Sequence, residues 1–89
     1  MARVFWTDQA QERLDHLPDD VRRVIRRRIR LVAAQPEMYV AVESPARWRG
    51  HRKFVVDGRW LVLYRVKKGT SPDQDQVYVA DIVAARSNY

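Results

Sequence analysis

The sequence has 89 residues and lacks cysteine, with only three glycines and no long apolar run. The absence of cysteine excludes a disulfide framework, a thiol nucleophile and every cysteine-ligated metal site. No apolar stretch approaches the roughly 20 residues of a membrane span. No signal-peptide pattern follows Met1. These absences predict a cytoplasmic domain without membrane contact, whose core forms without covalent crosslinks.

Histidine is also scarce, with two in the chain, and no group of His, Asp and Glu has the spacing of metal ligands. The sequence contains no glycine-rich loop of the kind that cradles phosphate. No two carboxylates form a recognisable acid and base pair. We therefore expect neither a metal nor a cofactor.

Positive charge, by contrast, is abundant. Seventeen Lys and Arg stand against 11 Asp and Glu, which gives a net charge of +6. Fourteen of the seventeen are arginine, whose planar guanidinium matches phosphate and carboxylate. A GC-rich genome would produce the same bias toward arginine codons. The net charge predicts attraction to nucleic acid or to an acidic protein partner.

The length fits a single domain over residues 1–89. A β-prone segment at residues 3–7 is followed by a helix that Thr7 or Asp8 caps and Pro18 stops. Asp19 and Asp20 then cap a second helix, which ends before Pro36. Its apolar stripe has the i, i+3, i+4 spacing of an amphipathic helix and consists of Val21, Val24, Ile25, Ile29, Val32 and Ala33. The two helices predict an antiparallel helical hairpin.

The apolar period changes to two in the second half of the chain. Strands are predicted over His51–Val56, Trp60–Val66 and Val77–Ala84, with Asp57-Gly58 as a two-residue hairpin loop. Residues 37–49 are compatible with a strand, a turn of helix or an ordered loop. The order β-α-α-β-β-β predicts an α+β fold, with the helical hairpin packed on one face of a mainly antiparallel four-stranded sheet.

The two-residue loop fixes which hairpin residues share a face. It pairs Val56 with Arg59 and Phe54 with Leu61. One face then carries His51, Lys53, Val55, Trp60, Val62 and Tyr64, and the other carries Arg52, Phe54, Val56, Arg59, Leu61, Leu63 and Arg65. Burying unpaired arginines is costly, so the second face is expected to be open. Phe54, Leu61 and Leu63 would then form an exposed apolar patch, typical of a binding surface.

The order of elements, the basic second helix and three sequence segments resemble the RelE/ParE toxins of bacterial type II toxin–antitoxin modules. The segments are Trp48–Phe54, Trp60–Tyr64 and the closing Asp81–Tyr89. The resemblance spans the whole chain. It implies that an antitoxin segment wraps and neutralises the protein, and we expect this segment to cover Phe54, Leu61 and Leu63.

For the RelE-like members the resemblance implies metal-free, ribosome-dependent cleavage of mRNA. The implied catalytic residues are Arg52, Lys53, Arg59, Arg86 and Tyr89. Arginines would stabilise the phosphorane, and Lys53, Tyr89 or His51 would transfer protons, because the arginine pKa exceeds about 12. Further nucleic-acid contacts are assigned to Arg26, Arg30, Arg49, His51 and Arg65.

Two positions depart from the family pattern. Leu61 stands where an arginine is common, and Ala85 stands where a histidine is common. The sequence therefore supports three hypotheses. The first, which we favour from the sequence, is a RelE-like endoribonuclease with the ribosome and mRNA as partners. The second is a ParE-like, non-enzymatic toxin that binds DNA gyrase. The third is an inactive, basic nucleic-acid-binding domain.

Overall fold

The computed structural model describes residues 1–86 and contains four strands and two α-helices in the predicted order. The strands are β1 (Arg3–Trp6), β2 (Arg52–Val56), β3 (Trp60–Lys67) and β4 (Gln76–Ala84). The helices are α1 (Asp8–Asp15) and α2 (Asp19–Ala34). Short 3₁₀ turns occupy Ala46–Trp48 and Pro72–Gln74. Within the described residues, no helix has the length and apolar character needed to cross a membrane.

The predicted helix starts are found where the sequence placed them. Thr7 is the N-cap of α1, because its Oγ1 accepts a hydrogen bond from the backbone N–H of Ala10 at 3.1 Å. The same hydroxyl donates to the carbonyl of Ala80 at 2.8 Å, so the cap also ties the helix to β4. The predicted cap of α2 is wrong, because Pro18 is its N-cap and no side chain caps the helix. Asp19 and Asp20 lie in the first turn, where negative charge favours a helix N-terminus.

The four strands form one mixed sheet in the order β1-β4-β3-β2. β2 and β4 both run antiparallel to β3, whereas β1 pairs parallel with β4. This parallel pair joins the two ends of the chain, with all other elements as its connection. The predicted α+β architecture, two helices on a mainly antiparallel sheet, is confirmed.

The main core lies between the helices and one face of the sheet. α2 contributes the predicted stripe, with Ile25 and Val32 fully buried. The sheet contributes side chains from three strands: Phe54, Val56, Val62, Tyr64, Val77, Val79 and Ile82. The apolar side chains of the helices and those of the strands therefore form a single cluster of buried residues.

The predicted hairpin register is wrong by one residue. Val56 pairs with Trp60, Val55 with Leu61 and Phe54 with Val62. Asp57 and Gly58 both adopt left-handed backbone conformations, and the N–H of Arg59 bonds to the carbonyl of Val56 at 3.1 Å. Arg59 thus belongs to the loop and not to the strand ladder. A one-residue slip moves one strand's side chains to the other face of their partner strand.

Because of this one-residue difference, the prediction of which side chains face the helices is wrong for β2 but right for β3. Phe54 and Val56 belong to the main core on the helix side, so they are not on an open face. Leu61 and Leu63 face away from the helices, as expected, but they are 2% and 0% exposed. The expected exposed patch therefore does not exist, because Phe54, Leu61 and Leu63 are all buried.

Residues 37–51 cover that part of the outer face as an ordered loop. Val42 and Trp48 of this loop pack with Leu61, Leu63 and Val83 in a second, smaller cluster. Backbone bonds hold the loop along the edge of β2: the N–H of Val42 donates to the His51 carbonyl at 2.8 Å, and that of Lys53 donates to the Val40 carbonyl at 3.2 Å.

Candidate functional site

Two of the predicted catalytic arginines meet at the hairpin end of the sheet. Arg59 lies in the β2–β3 loop, and Arg86 follows the end of β4. The pairing of Trp60 with Ala84 brings these positions together, and the N–H of Ala85 donates to the carbonyl of Arg59 at 2.8 Å. The two arginines, Gly58, Trp60 and Ala84 line a cavity of about 410 Å³.

A larger cavity of about 980 Å³ shares Trp60 and Ala84 with the first. The two cavities together are called here the Trp60 cleft. The larger one lies between α1, the 3₁₀ turn at Ala46–Trp48 and the end of β4. Its charged and titratable lining consists of Glu12, Arg13, His16, Arg47 and Asp81.

A buried carboxylate organises the floor of the Trp60 cleft. Asp81 is 4% exposed and accepts hydrogen bonds from Gln9 Nε2 at 2.7 Å and from its neighbour's backbone N–H at 2.8 Å. Arg13 Nε lies 3.0 Å from the same carboxylate. This ion pair is satisfied within the protein, as a buried charge requires. It fixes α1 against β4 at the cleft.

The Trp60 cleft has an excess of positive charge. Among residues 1–86, four arginines line it against two carboxylates, and one arginine, Arg13, is paired with one carboxylate, Asp81. Guanidinium groups in such a concave site bind phosphate or carboxylate groups. In the smaller cavity the side chains of the described lining are Arg59, Trp60, Ala84 and Arg86, none of which transfers protons readily at neutral pH.

Sequence reasoning missed Arg13 and Arg47 as members of this cleft. Arg13 is on α1 and Arg47 is in the loop before β2, so no local spacing links them to Arg59. Trp60 is half-buried and lines both cavities. The alternation of β3 could not reveal that its first residue borders a cleft.

Arg52, another predicted catalytic residue, lies apart from the Trp60 cleft and is half-buried. Its Nη1 donates to the carbonyl of Tyr39 at 2.6 Å and reaches that of Glu37 at 3.5 Å. The guanidinium thus holds the loop that follows α2. Lys53 lines a separate cavity on the outer face, beside Val40 and Val55.

Tyr64, in the strand motif that carries the resemblance, is fully buried. Its hydroxyl donates to the carbonyl of Pro36 at 3.1 Å. Burial raises the pKa of Tyr64 to about 12, although the nearby Arg52 charge acts in the opposite direction. The phenol therefore stays protonated at neutral pH and serves as a structural donor.

The predicted nucleic-acid contacts are distributed over three regions. Arg49 Nε donates to the Glu43 carbonyl at 3.3 Å within the covering loop. The His51 ring packs edge-on against Trp48 with centroids 5.1 Å apart. Arg26 and Arg30 line a shallow groove of about 210 Å³ between the helices and β1.

Arg65 lies on the uncovered half of the outer face. It pairs across the sheet with Tyr78, which stacks on Phe5 at 5.2 Å between ring centroids. The predicted site residues are thus not gathered in one place. Tyr89 lies outside the described residues. Among residues 1–86, no group of three or more His, Cys, Asp or Glu could hold a metal ion.

Comparison with known proteins identifies a family to which the sequence is similar. Residues 4–89 match the family model described as the ParE toxin of the type II toxin–antitoxin system, parDE. No curated protein sequence gives a significant match.

Solved structures that share the fold include the following two. A chain of the intact Escherichia coli RelBE toxin–antitoxin complex is 14% identical with a TM-score of 0.76, covering 98% of this chain and 100% of that one. The solution structure of the Helicobacter pylori conserved hypothetical protein HP0894 is 13% identical with a TM-score of 0.55, covering 100% of both chains.

Proposed function

Because the chain belongs to the family of ParE toxins of type II toxin–antitoxin systems, we propose that it acts by binding a protein target through the Trp60 cleft. The resemblance to ParE-like toxins makes DNA gyrase the expected target. A cognate antitoxin would neutralise the protein. The proposed mechanism is binding without catalysis, with guanidinium groups of the cleft engaging carboxylates of the target.

The observation that carries this proposal is the separation of the residues that RNA cleavage requires. Cleavage needs a base for the 2′-hydroxyl, an acid for the leaving oxygen and cations at the phosphorane. Arg59 and Arg86 line one cavity, but Arg52 is bound to backbone carbonyls elsewhere. Leu61, at the position where the family commonly has arginine, is buried under the covering loop.

The direct test is a supercoiling assay with purified gyrase and purified toxin. We expect inhibition at micromolar toxin, and loss of inhibition in the double variant Arg59→Ala, Arg86→Ala. Arg23→Ala is the matched control, because it removes one exposed arginine of α2 that is not part of the cleft lining. Full inhibition by the double variant, or none by the wild type, would refute the proposal.

A second candidate is ribosome-dependent mRNA cleavage. The convergence of Arg59 and Arg86 favours it, because two guanidinium groups on one cavity suit a phosphate. His16 and Glu12 line the adjoining cavity and are the groups there that could exchange protons. The ribosome would then have to orient the RNA across both cavities.

Primer extension on a reporter mRNA separates the two candidates. Toxin expression is induced, and the mRNA is mapped during growth arrest with and without a block of translation. Cuts at in-frame codons that disappear when translation is blocked would establish the nuclease. Arrest without cuts, together with inhibited gyrase, is the result that we expect.

A further inference from the structure

Two aromatic rings and three cations share the uncovered half of the outer face. They belong to alternate residues of three neighbouring strands, and the surface they form, called here the Phe5 surface, consists of Arg3, Phe5, Arg65, Lys67, Gln76 and Tyr78. The residues that alternate with them, such as Val4, Val66 and Val77, pack in the main core. None of the six lines either cavity of the Trp60 cleft.

The two aromatic rings of the Phe5 surface form a stack. Phe5 and Tyr78 are cross-strand partners, and their rings lie 5.2 Å apart between centroids with an angle of 19° between their planes. The Tyr78 hydroxyl donates to Gln76 Oε1 at 2.6 Å, which fixes its ring. Phe5 is 37% exposed and lies on the edge strand β1, so no further strand covers the other side of its ring. The Arg3 guanidinium lies 5.8 Å from the same ring centre.

The cations surround this stack on the same face. Arg65 is the cross-strand partner of Tyr78, and Lys67 and Arg3 pair with Gln76 from its two sides. Adjacent strands lie about 4.8 Å apart and rise about 3.3 Å per residue, so the backbone of each cation is within about 10 Å of that of Tyr78. Neither Arg65 nor Lys67 forms a salt bridge within the described part of the chain.

The combination of stacked rings and cations matches one class of ligand. Single-stranded nucleic acid offers bases that stack on aromatic side chains and phosphates that pair with cations. In a duplex the bases are already stacked and paired, so the exposed ring would contribute little. A second copy of the protein would bring the same net charge of +6. An acidic peptide would match the cations but would have no use for the rings.

We propose that the Phe5 surface binds single-stranded nucleic acid, with a base stacked on the Phe5 ring and phosphates held by the three cations. The inference goes beyond the proposed function, because it concerns another ligand and a surface outside the Trp60 cleft. It retains the predicted nucleic-acid contact of Arg65 and adds Arg3, Phe5 and Lys67 to it.

The test measures binding by fluorescence anisotropy with four labelled probes. They are a single-stranded DNA 12-mer of mixed sequence, the same sequence as RNA, the DNA duplex and a peptide of 12 glutamates. We expect the wild type to bind the single strands more tightly than the peptide. A preference for DNA or for RNA supports the proposal in either case and identifies the source of the strand.

The ring is tested by Phe5→Leu, which keeps an apolar side chain but removes the aromatic face. We expect it to raise the dissociation constant of the single strands at least about fivefold. The dissociation constant of the duplex should stay within about twofold of the wild type. Phe5→Tyr restores a ring and should bind the single strands as the wild type does. Circular dichroism establishes that both variants are folded.

The cations are tested by the double variant Arg65→Gln, Lys67→Gln, which alters only exposed side chains and is available even if Phe5→Leu does not fold. Each phosphate neutralised on a single strand contributes about 0.7 to the slope of log affinity against log salt. The double variant should therefore reduce this slope by about 1.4. Arg23→Gln, Arg27→Gln is the matched control, because it removes two exposed arginines of α2 and should leave the slope unchanged.

Three results would overturn the inference. The first is equal single-strand affinity of the wild type, Phe5→Leu and the Arg65, Lys67 double variant, or no binding of single strands at all. The second is an equal loss of slope in the α2 control, which would assign the binding to net charge. The third is peptide binding as tight as that of the single strands. None of these results bears on gyrase inhibition through the Trp60 cleft, which is measured separately.

Discussion

The two faces of the sheet are covered by different kinds of structure, helices on one and a loop on the other. Two helices close the inner face, where seven strand residues join a core with α1 and α2. On the outer face a loop covers only the part around Leu61 and Leu63. The remainder exposes Phe5, Arg65 and Lys67 to solvent. One face therefore mainly supplies stability, and the other leaves surface available for recognition.

The comparison predicts that truncation is most damaging on the inner face. Ile25 is fully buried in the middle of α2, so Ile25→Ala should lower the free energy of unfolding by about 4 kcal/mol. Urea unfolding followed by circular dichroism measures this loss. Ile25→Val should cost about 1 kcal/mol, which keeps the series measurable if the alanine variant unfolds. A loss below about 1 kcal/mol for the alanine variant would contradict the assigned core.

The outer cluster should respond less to an equivalent truncation. Leu63 is fully buried, but a loop covers it. Leu63→Ala should cost about 2 kcal/mol, because the loop can settle into part of the space and reduce the cavity. The same urea measurement gives the value. A loss as large as that of Ile25→Ala would show that the two faces are equally rigid.

Tyr64 tests the link between the inner face and the loop after α2. Tyr64→Phe removes the hydroxyl that donates to Pro36, and should cost about 1 kcal/mol at neutral pH. The wild type should lose this advantage as the pH rises above 10 and become the less stable of the two proteins near pH 12, for the following reason.

The folded pKa of Tyr64 is raised from 10.0 to about 12, so between these values the unfolded chain loses its proton first. Wild-type stability is complete below pH 10 and falls by up to about 1.4 kcal/mol per pH unit as the pH rises toward 12. Tyr64→Phe should lack this component of the fall. Identical pH profiles for the two proteins would exclude the shift.

The smallest effect is expected on the uncovered half of the outer face. Arg65 is exposed, so Arg65→Ala should change the free energy of unfolding by less than about 0.5 kcal/mol. Thermal and urea unfolding both measure it. A cost above about 1 kcal/mol would mean that this half of the face contributes to the stability of the fold.

The amphipathic stripe of α2 and the alternation of β3 were predictable because each depends on neighbours within a few residues. The hairpin register was not, because the Asp57-Gly58 turn is compatible with Arg59 in the loop or in the ladder. Packing decided between them. Phe54 is 4% exposed in the main core, so the register that buries it is favoured by its large apolar surface.

The candidate site, like the fold, could be predicted from the sequence only in part. Arg59 and Arg86 were identified by resemblance, and strand pairing across 20 or more residues of sequence brings them onto one cavity. No sequence pattern identified Arg13 or Arg47 as residues of the site. Arg52 had the expected residue type. Its guanidinium, however, donates a hydrogen bond to a carbonyl of the loop after α2, which gives it a structural role.

By itself, the sequence determined the order of elements, the apolar stripe of α2 and the basic character of the protein, since these follow from composition and local period. Only the tertiary structure decided the hairpin register, the covering of Leu61 and the assembly of the Trp60 cleft. The physical reason is that burial is shared among distant residues. A side chain's face and neighbours depend on which competing arrangement removes the most apolar surface from water while most buried polar groups keep a partner.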